Sequence, residues 1–156
     1  MYGLARMPPA RMEAEMSESE DVVRRFLDEV ITGGNAGALP ELMAKDLVWH
    51  GGSFGEIRSL DEFTHFIGQF LGAFPDLAVT VDDVIAEGDK VVTRLTVRGT
   101  HSGELMGIPA SGTEATWTDV NIYRVADGKI VEEWFCGDYL GMMQQIGAIP
   151  AATRAT

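Results

Sequence analysis

The chain has 156 residues, the size of one ordinary domain. With 46% hydrophobic and 23% charged residues it can bury a core, which excludes a disordered chain. Twenty-four acidic against twelve basic residues leave a formal net charge of −12, which disfavours nucleic acid and anionic membrane surfaces as partners.

Residues 1–16, with Pro8, Pro9 and alternating Arg, Met and Glu, read as a loose, flexible leader that lacks the apolar stretch of a secretory signal. The folded unit is expected over 17–150, with 151–156 as a tail. Ser17 and Glu20 form a capping-box pattern ahead of Val22, Val23, Phe26, Leu27, Val30 and Ile31, which recur at helical spacing until Gly33-Gly34. Asn35 is placed to cap a short second helix carrying Leu39, Leu42 and Met43. A brief strand follows over Leu47 to His50. Ser59 and Glu62 form another capping box, and behind it Phe63, Phe66, Ile67, Phe70, Leu71 and Phe74 make an apolar helix face that Pro75 closes.

Beyond Pro75 the period becomes that of strands. Leu77 to Ala86 and Val91 to Thr100 read as a hairpin around Glu87-Gly88-Asp89-Lys90. A loop over 102–112 leads into a long strand from Thr113 to Val125. Asp127-Gly128 is a hairpin signal, and Lys129 to Phe135 returns. Leu140, Met143 and Gln144 suggest a last helical turn ending near Gly147.

Helices first and a meander second predict an α+β fold, in which helices cover one face of a curved sheet and leave a cone-shaped pocket for a small apolar ligand. No glycine-rich phosphate loop follows a strand, so a nucleotide-binding parallel sheet is disfavoured. The single cysteine, Cys136, allows no internal disulfide and has no cationic or histidine neighbour in sequence. No apolar run approaches the ~20 residues that span a bilayer, and a soluble cytoplasmic protein is the expectation.

The segment from Arg98 through Gly99-Thr100-His101-Ser102-Gly103 to Gly107-Ile108-Pro109 resembles the GTHxGxxxGIP loop of the SnoaL-like polyketide cyclase family. The hairpin Tyr123–Trp134 and the closing run Asp138–Gly147 are similar to that family as well. The resemblance spans about Ser17 to Pro150. It implies the nuclear transport factor two-like cone shared with ketosteroid isomerase, with a curved antiparallel sheet and N-terminal helices on its concave face. It also implies a pocket for a polycyclic or long apolar molecule, cofactor-independent chemistry, and a homodimer or higher homo-oligomer. The family's best-known members close polyketide rings by an intramolecular aldol reaction, and others assist ring hydroxylation. In the ring-closing members the acid/base aspartate aligns with Asp138 or with Phe135, and a histidine on the preceding strand aligns with Asn121. Asparagine can hydrogen-bond an oxygen but does not shuttle protons near neutral pH.

A two-residue Asp127-Gly128 turn sets Asn121 opposite Trp134, Asp119 opposite Cys136 and Trp117 opposite Asp138, with Tyr123 and Glu132 on the same face. A three-residue turn slips the register by one and puts Asp119 with Glu133 and Phe135; the first register is favoured. On that basis Asp138 is the principal catalytic candidate, because a carboxyl between indoles holds its proton more tightly and can serve as base and then acid. Asp119 and His50 are candidate second proton-handling groups; Asp119 beside Asp138 would match the base and protonated-donor pair of ketosteroid isomerase. The alternative for Asp138 is an N-cap of the last helix. Trp117, Asn121, Trp134, Tyr123, His65, His101 and Phe66 are candidate substrate contacts. The histidines have neither the i, i+4 spacing nor the clustering of a metal site, so no metal is expected. Arg94 and Arg98 read as solvated charge on the outer face, and Arg124 as the partner of a neighbouring strand's glutamate such as Glu133. The function expected is acid/base catalysis on a polyketide-like or other polycyclic carbonyl compound. A non-catalytic ligand-binding module and a ring-hydroxylation component are the alternatives.

Overall fold

A computed structural model describes residues 8–151. Its first helix, α1, runs from Pro9 to Arg25 and widens into a π-helical stretch over Phe26–Thr32. The start is Pro8-Pro9, where a missing N–H costs nothing and a fixed φ suits the first turn. Residues 9–16 are therefore helical, and the Ser17–Glu20 pattern lies inside α1 instead of opening it. The expected apolar rhythm is the buried face: Val22, Val23, Phe26, Leu27 and Val30 are all buried. The remainder of the leader, 1–7, lies outside the described residues.

Asn35 makes no side-chain cap; a 3-10 turn over Ala36–Ala38 leads instead into α2, a single turn over Leu39–Leu42. Met43, expected on that helix, is the first residue of strand β1 (Met43–His50) and is fully buried opposite Ile130. Tertiary pairing outweighs local helix preference there. A two-residue strand, β2 (Glu56–Ile57), folds back on β1 across a glycine-rich turn. Helix α3 (Leu60–Ala73) starts as expected, with the Ser59 hydroxyl accepting the Glu62 N–H at 3.2 Å. Four long strands follow, β3 (Ala78–Glu87), β4 (Lys90–Thr100), β5 (Glu114–Ala126) and β6 (Lys129–Gly137), and then the short helix α4 (Tyr139–Gln145).

The six strands form one sheet in the order β2-β1-β6-β5-β4-β3. All neighbours are antiparallel except β1 and β6, whose parallel pairing makes the sheet mixed. β5 alternates exposed and buried residues almost without exception, so one sheet face is solvated and the other faces α1 and α3.

The β5–β6 hairpin decides which side chains share that inner face. Asp127 and Gly128 both have positive φ, 51° and 73°, as a two-residue type I′ turn requires. Ala126 accordingly faces Lys129 and Val125 faces Ile130. Then Val131 is left unopposed as a bulge, and Arg124 faces Glu132. Beyond it Tyr123 faces Glu133, Asn121 faces Phe135 and Asp119 faces Gly137. The favoured pairings of Asn121 with Trp134 and of Asp119 with Cys136 are thus each off by one, and Asp138, expected opposite Trp117, lies beyond the end of β6. The turn is the expected one; the bulge undoes its register, sends Glu132, Trp134 and Cys136 to the outer face, and brings Glu133 and Phe135 in. Arg124 consequently pairs with Glu132, at 3.2 Å, and not with Glu133.

Phe63 is 2% exposed and stacks against both Phe26 of the π-helical stretch and Trp49 of β1, with ring centroids 6.3 and 5.8 Å away. Phe63→Ala is expected to lower stability by about 3–5 kcal/mol, because the helices and sheet cannot collapse around the missing ring. Urea unfolding of the variant beside the wild type reads this directly.

Candidate active site

Between the sheet's inner face and the helices lies a pocket with about 610 Å³ of empty space, part of it open to solvent. Phe26, Leu27 and Ile31 come from the π-helical continuation of α1, and Phe63, Phe66, Ile67 and Phe70 from α3. Trp49, Val79, Leu95, Val97 and Trp117 contribute from the strands, and Phe54 from the turn before β2. The carboxyl, amide and phenol groups that line it come from the β5–β6 wall: Asp119, Asn121, Tyr123 and Glu133. A mostly apolar pocket, rich in aromatic rings and with a few converging polar groups, is the usual form of a small-molecule site.

Asp119 is 7% and Glu133 3% exposed, and Oδ1 of Asp119 and Oε2 of Glu133 have no hydrogen-bond partner. Asp119 fits because its neighbour across the ladder is Gly137, where a Cβ would stand 2.5 Å from Oδ1. Burial is the main reason the Asp119 carboxyl is pushed up to about 7; the like charge of Asp138 adds to it, and the Trp117 side chain, hydrogen-bonding to the carboxylate, opposes it. Burial likewise pushes Glu133 to about 8, helped by Asp119 and opposed by a hydrogen bond from the Trp49 side chain. Burial thus raises two carboxyls on one wall toward neutrality.

Asn121 is a fixed spacer between them. Its Oδ1 accepts the Cys136 N–H at 3.1 Å, and its amide N–H₂ donates to the Tyr123 hydroxyl at 3.4 Å. Tyr123 is fully buried, which pushes its phenol well above the ordinary value and keeps it protonated.

The remaining sequence candidates are distributed elsewhere. Asp138 is exposed and caps α4, accepting the Gly141 N–H at 2.9 Å, and it does not line the pocket. His50 ends β1 on the side away from the pocket: Nε2 is 2.8 Å from Glu132, Nδ1 is 3.2 Å from Glu56, and the ring stacks on Trp134 at 5.3 Å. Trp134 is therefore a neighbour of His50 and not of Asn121. His65 is exposed on α3 and contacts Gln69. His101 is buried against Phe74, and its Nδ1 accepts the Ser111 N–H at 3.1 Å, which ties down the 101–113 loop. Phe66, Trp117, Asp119, Asn121 and Tyr123 are brought together in the pocket; Asp138, His50, Trp134, His65 and His101 are not. Glu133 and Phe135 share the inner face with Asp119 only in the slipped register, the less favoured of the two that the sequence allows. Among the described residues, no three His, Cys, Asp or Glu side chains are placed to hold a metal ion.

The chain matches a known family. Residues 21–146 fit the model of the SnoaL-like polyketide cyclases, and the chain belongs to that family. It is 28% identical to the aklanonic acid methyl ester cyclase DnrD of Streptomyces peucetius, over 85% of this chain and 92% of the relative. Among solved structures it is similar to IdmH of Streptomyces antibioticus, at 36% identity and a TM-score of 0.71, over 83% of this chain and 98% of that one. It also resembles a SnoaL-like protein of Jannaschia sp. CCS1, at 27% identity and a TM-score of 0.81, over 92% and 98% of the two chains. No helix among the described residues is long and apolar enough to cross a membrane.

The two raised carboxyls make a specific demand on stability. An acid whose folded-state pKa lies above its unfolded one contributes fully below the unfolded value and loses that contribution as pH rises through the folded one. For Asp119 the window runs from 3.8 to about 7, and for Glu133 from 4.5 to about 8. Each loss is at most about 4 kcal/mol, since relaxation and water entry soften it. Urea midpoints measured from about pH 5 to about pH 8 are expected to fall for the wild type, and to fall less for Asp119→Asn and Glu133→Gln.

Proposed function

We propose that this protein is a cofactor-independent acid/base enzyme acting on a neutral, polyketide-like polycyclic carbonyl compound, with Asp119 and Glu133 as its proton-handling groups. The observation that carries the reading is the pair of buried carboxyls, pushed to about 7 and about 8, in an otherwise largely apolar pocket. Near neutral pH Asp119 is the group that loses its proton first and suits a base. Glu133 keeps its proton and suits an acid and hydrogen-bond donor.

In an aldol closure Asp119 removes a proton from carbon next to one carbonyl. The resulting enolate carbon forms a bond to a second carbonyl of the same molecule, and the oxygen that gains charge takes the Glu133 proton. Proton exchange with solvent then resets both groups, and the product is an isomer of the substrate. Family membership and the similarity to the aklanonic acid methyl ester cyclase DnrD support this reaction class. Asn121, held by the Cys136 N–H and the Tyr123 hydroxyl, spaces the two acids, while Trp117 and Phe66 bound the ring-binding volume. Asp138 acts through Asp119, by adding negative charge behind it. On the outer sheet face, exposed Val120 and Ile122 stand beside Trp134, and we propose this face for homodimer contact.

The test uses aklanonic acid methyl ester as probe, with NMR in deuterated buffer and chromatography of the recovered ligand. Exchange at the carbon next to a carbonyl, with formation of an isomer, is expected from the wild type. Asp119→Asn and Glu133→Gln are each expected to lower kcat by about 10²–10⁴. kcat/KM is expected to rise with pH as Asp119 ionises near about 7 and to fall as Glu133 does near about 8. Asp138→Asn moves the rising limb to lower pH and leaves kcat far closer to wild type than Asp119→Asn does. A ligand that binds and returns unchanged, without exchange, overturns the reading in favour of a non-catalytic binding module.

A further inference from the structure

The pocket is lined by two carboxyl groups and by no lysine, arginine or histidine. The acids are not part of the solvated surface charge, because both are more than nine-tenths buried and each keeps one oxygen without a partner. Buried acceptors are nearly always satisfied in native proteins, so a pair left open in a cavity points to a ligand that supplies the donor. The rings of Trp49, Trp117 and Phe135 border the same space. Carboxylates beside aromatic rings are the combination that recognises organic cations, the first by charge-assisted hydrogen bonds and the second by the negative faces of the rings.

We infer that the pocket binds planar organic cations, ring-bearing amines or protonated aza-aromatics whose nitrogen pairs with Asp119 and whose rings lie against Trp49, Trp117 and Phe135. This holds whether or not the pocket turns over a carbonyl compound. A neutral molecule meets the open oxygens by hydrogen bonds alone, whereas a cation meets them with charge as well. Among titratable groups facing the pair, Tyr123 on β5 is a buried neutral phenol and Asp138 at the start of α4 adds a further negative charge. From α1, α3, β1, β3 and β4 only uncharged side chains reach the cavity. A bound cation therefore displaces protons from the two carboxyls, and its affinity rises with pH.

Three probes of the same three-ring outline separate charge from shape: aminoacridine as the cation, anthracenemethanol as the neutral molecule and anthracenecarboxylate as the anion. Quenching of the protein's tryptophan fluorescence reads binding to the full chain. Aminoacridine is expected to bind about tenfold or more tighter than anthracenemethanol, with the anion weakest. The preference is expected to grow between about pH 6 and about pH 9, with proton release on binding in weakly buffered solution near neutrality. The double variant Asp119→Asn, Glu133→Gln is expected to abolish the cation preference while still binding anthracenemethanol. Equal affinity for cation and alcohol, absence of aminoacridine binding, or binding by the wild type without proton release overturns the inference. So does a preference that survives in the double variant, because the acidic surface would then be holding the cation. Failure of the ester to turn over, with the cation preference intact, counts against the proposed reaction alone.

Discussion

One unopposed residue, Val131, sets the chemistry of the pocket. A strand alternates its side chains between faces, so a single extra residue exchanges inside for outside along everything beyond it. Without the bulge the Asp127-Gly128 turn would point Glu132, Trp134 and Cys136 at the helices. With it, Glu133 and Phe135 point there, and Glu132 goes outward to His50 and Arg124. The inner wall then carries Asp119, Asn121 and Tyr123 on one strand against Gly137, Phe135 and Glu133 on the next.

Burying two acids on that wall works against folding, and the rest of the molecule offsets it. Phe63, Trp49, Phe26, Phe74 and Tyr123 are packed as an aromatic core around and beneath the pocket, and large buried rings carry most of the hydrophobic stabilisation available to a small domain. Gly137 removes the one Cβ that would collide with Asp119. The indoles of Trp49 and Trp117 temper the two carboxyls without satisfying both oxygens of either. Natural proteins tolerate such local cost where a ligand or a reaction uses it.

The pocket wall carries Asn121 on β5 and, opposite it on β6, Phe135. Neither side chain exchanges protons near neutrality. The ionisable groups available to the cavity sit two positions away on the same two strands, Asp119 before Asn121 and Glu133 before Phe135, so they keep the inward face. Moving an acid by two along a strand preserves its orientation while shifting it by about 7 Å, which alters which atoms of a ligand it can reach.

The sequence by itself determined the order of elements, the Ser59 cap, the apolar faces of α1 and α3, the two-residue Asp127-Gly128 turn and the family. Those follow from local spacing, from capping chemistry and from the motif around His101, all of which act over a few residues. It also contained both destinies of Asp138, and the hydrogen bond to the Gly141 N–H makes it a helix cap. Only the tertiary structure decided that Met43 begins a strand opposite Ile130, and that β1 joins β6 in parallel. It alone placed the bulge at Val131, and with it Glu133 inside and Trp134 beside His50. The reason is that a bulge has no compositional signature of its own. It arises where strand pairing on one side and the packing of helices on the other cannot both be met in a regular ladder, and that balance exists only once the distant segments have come together.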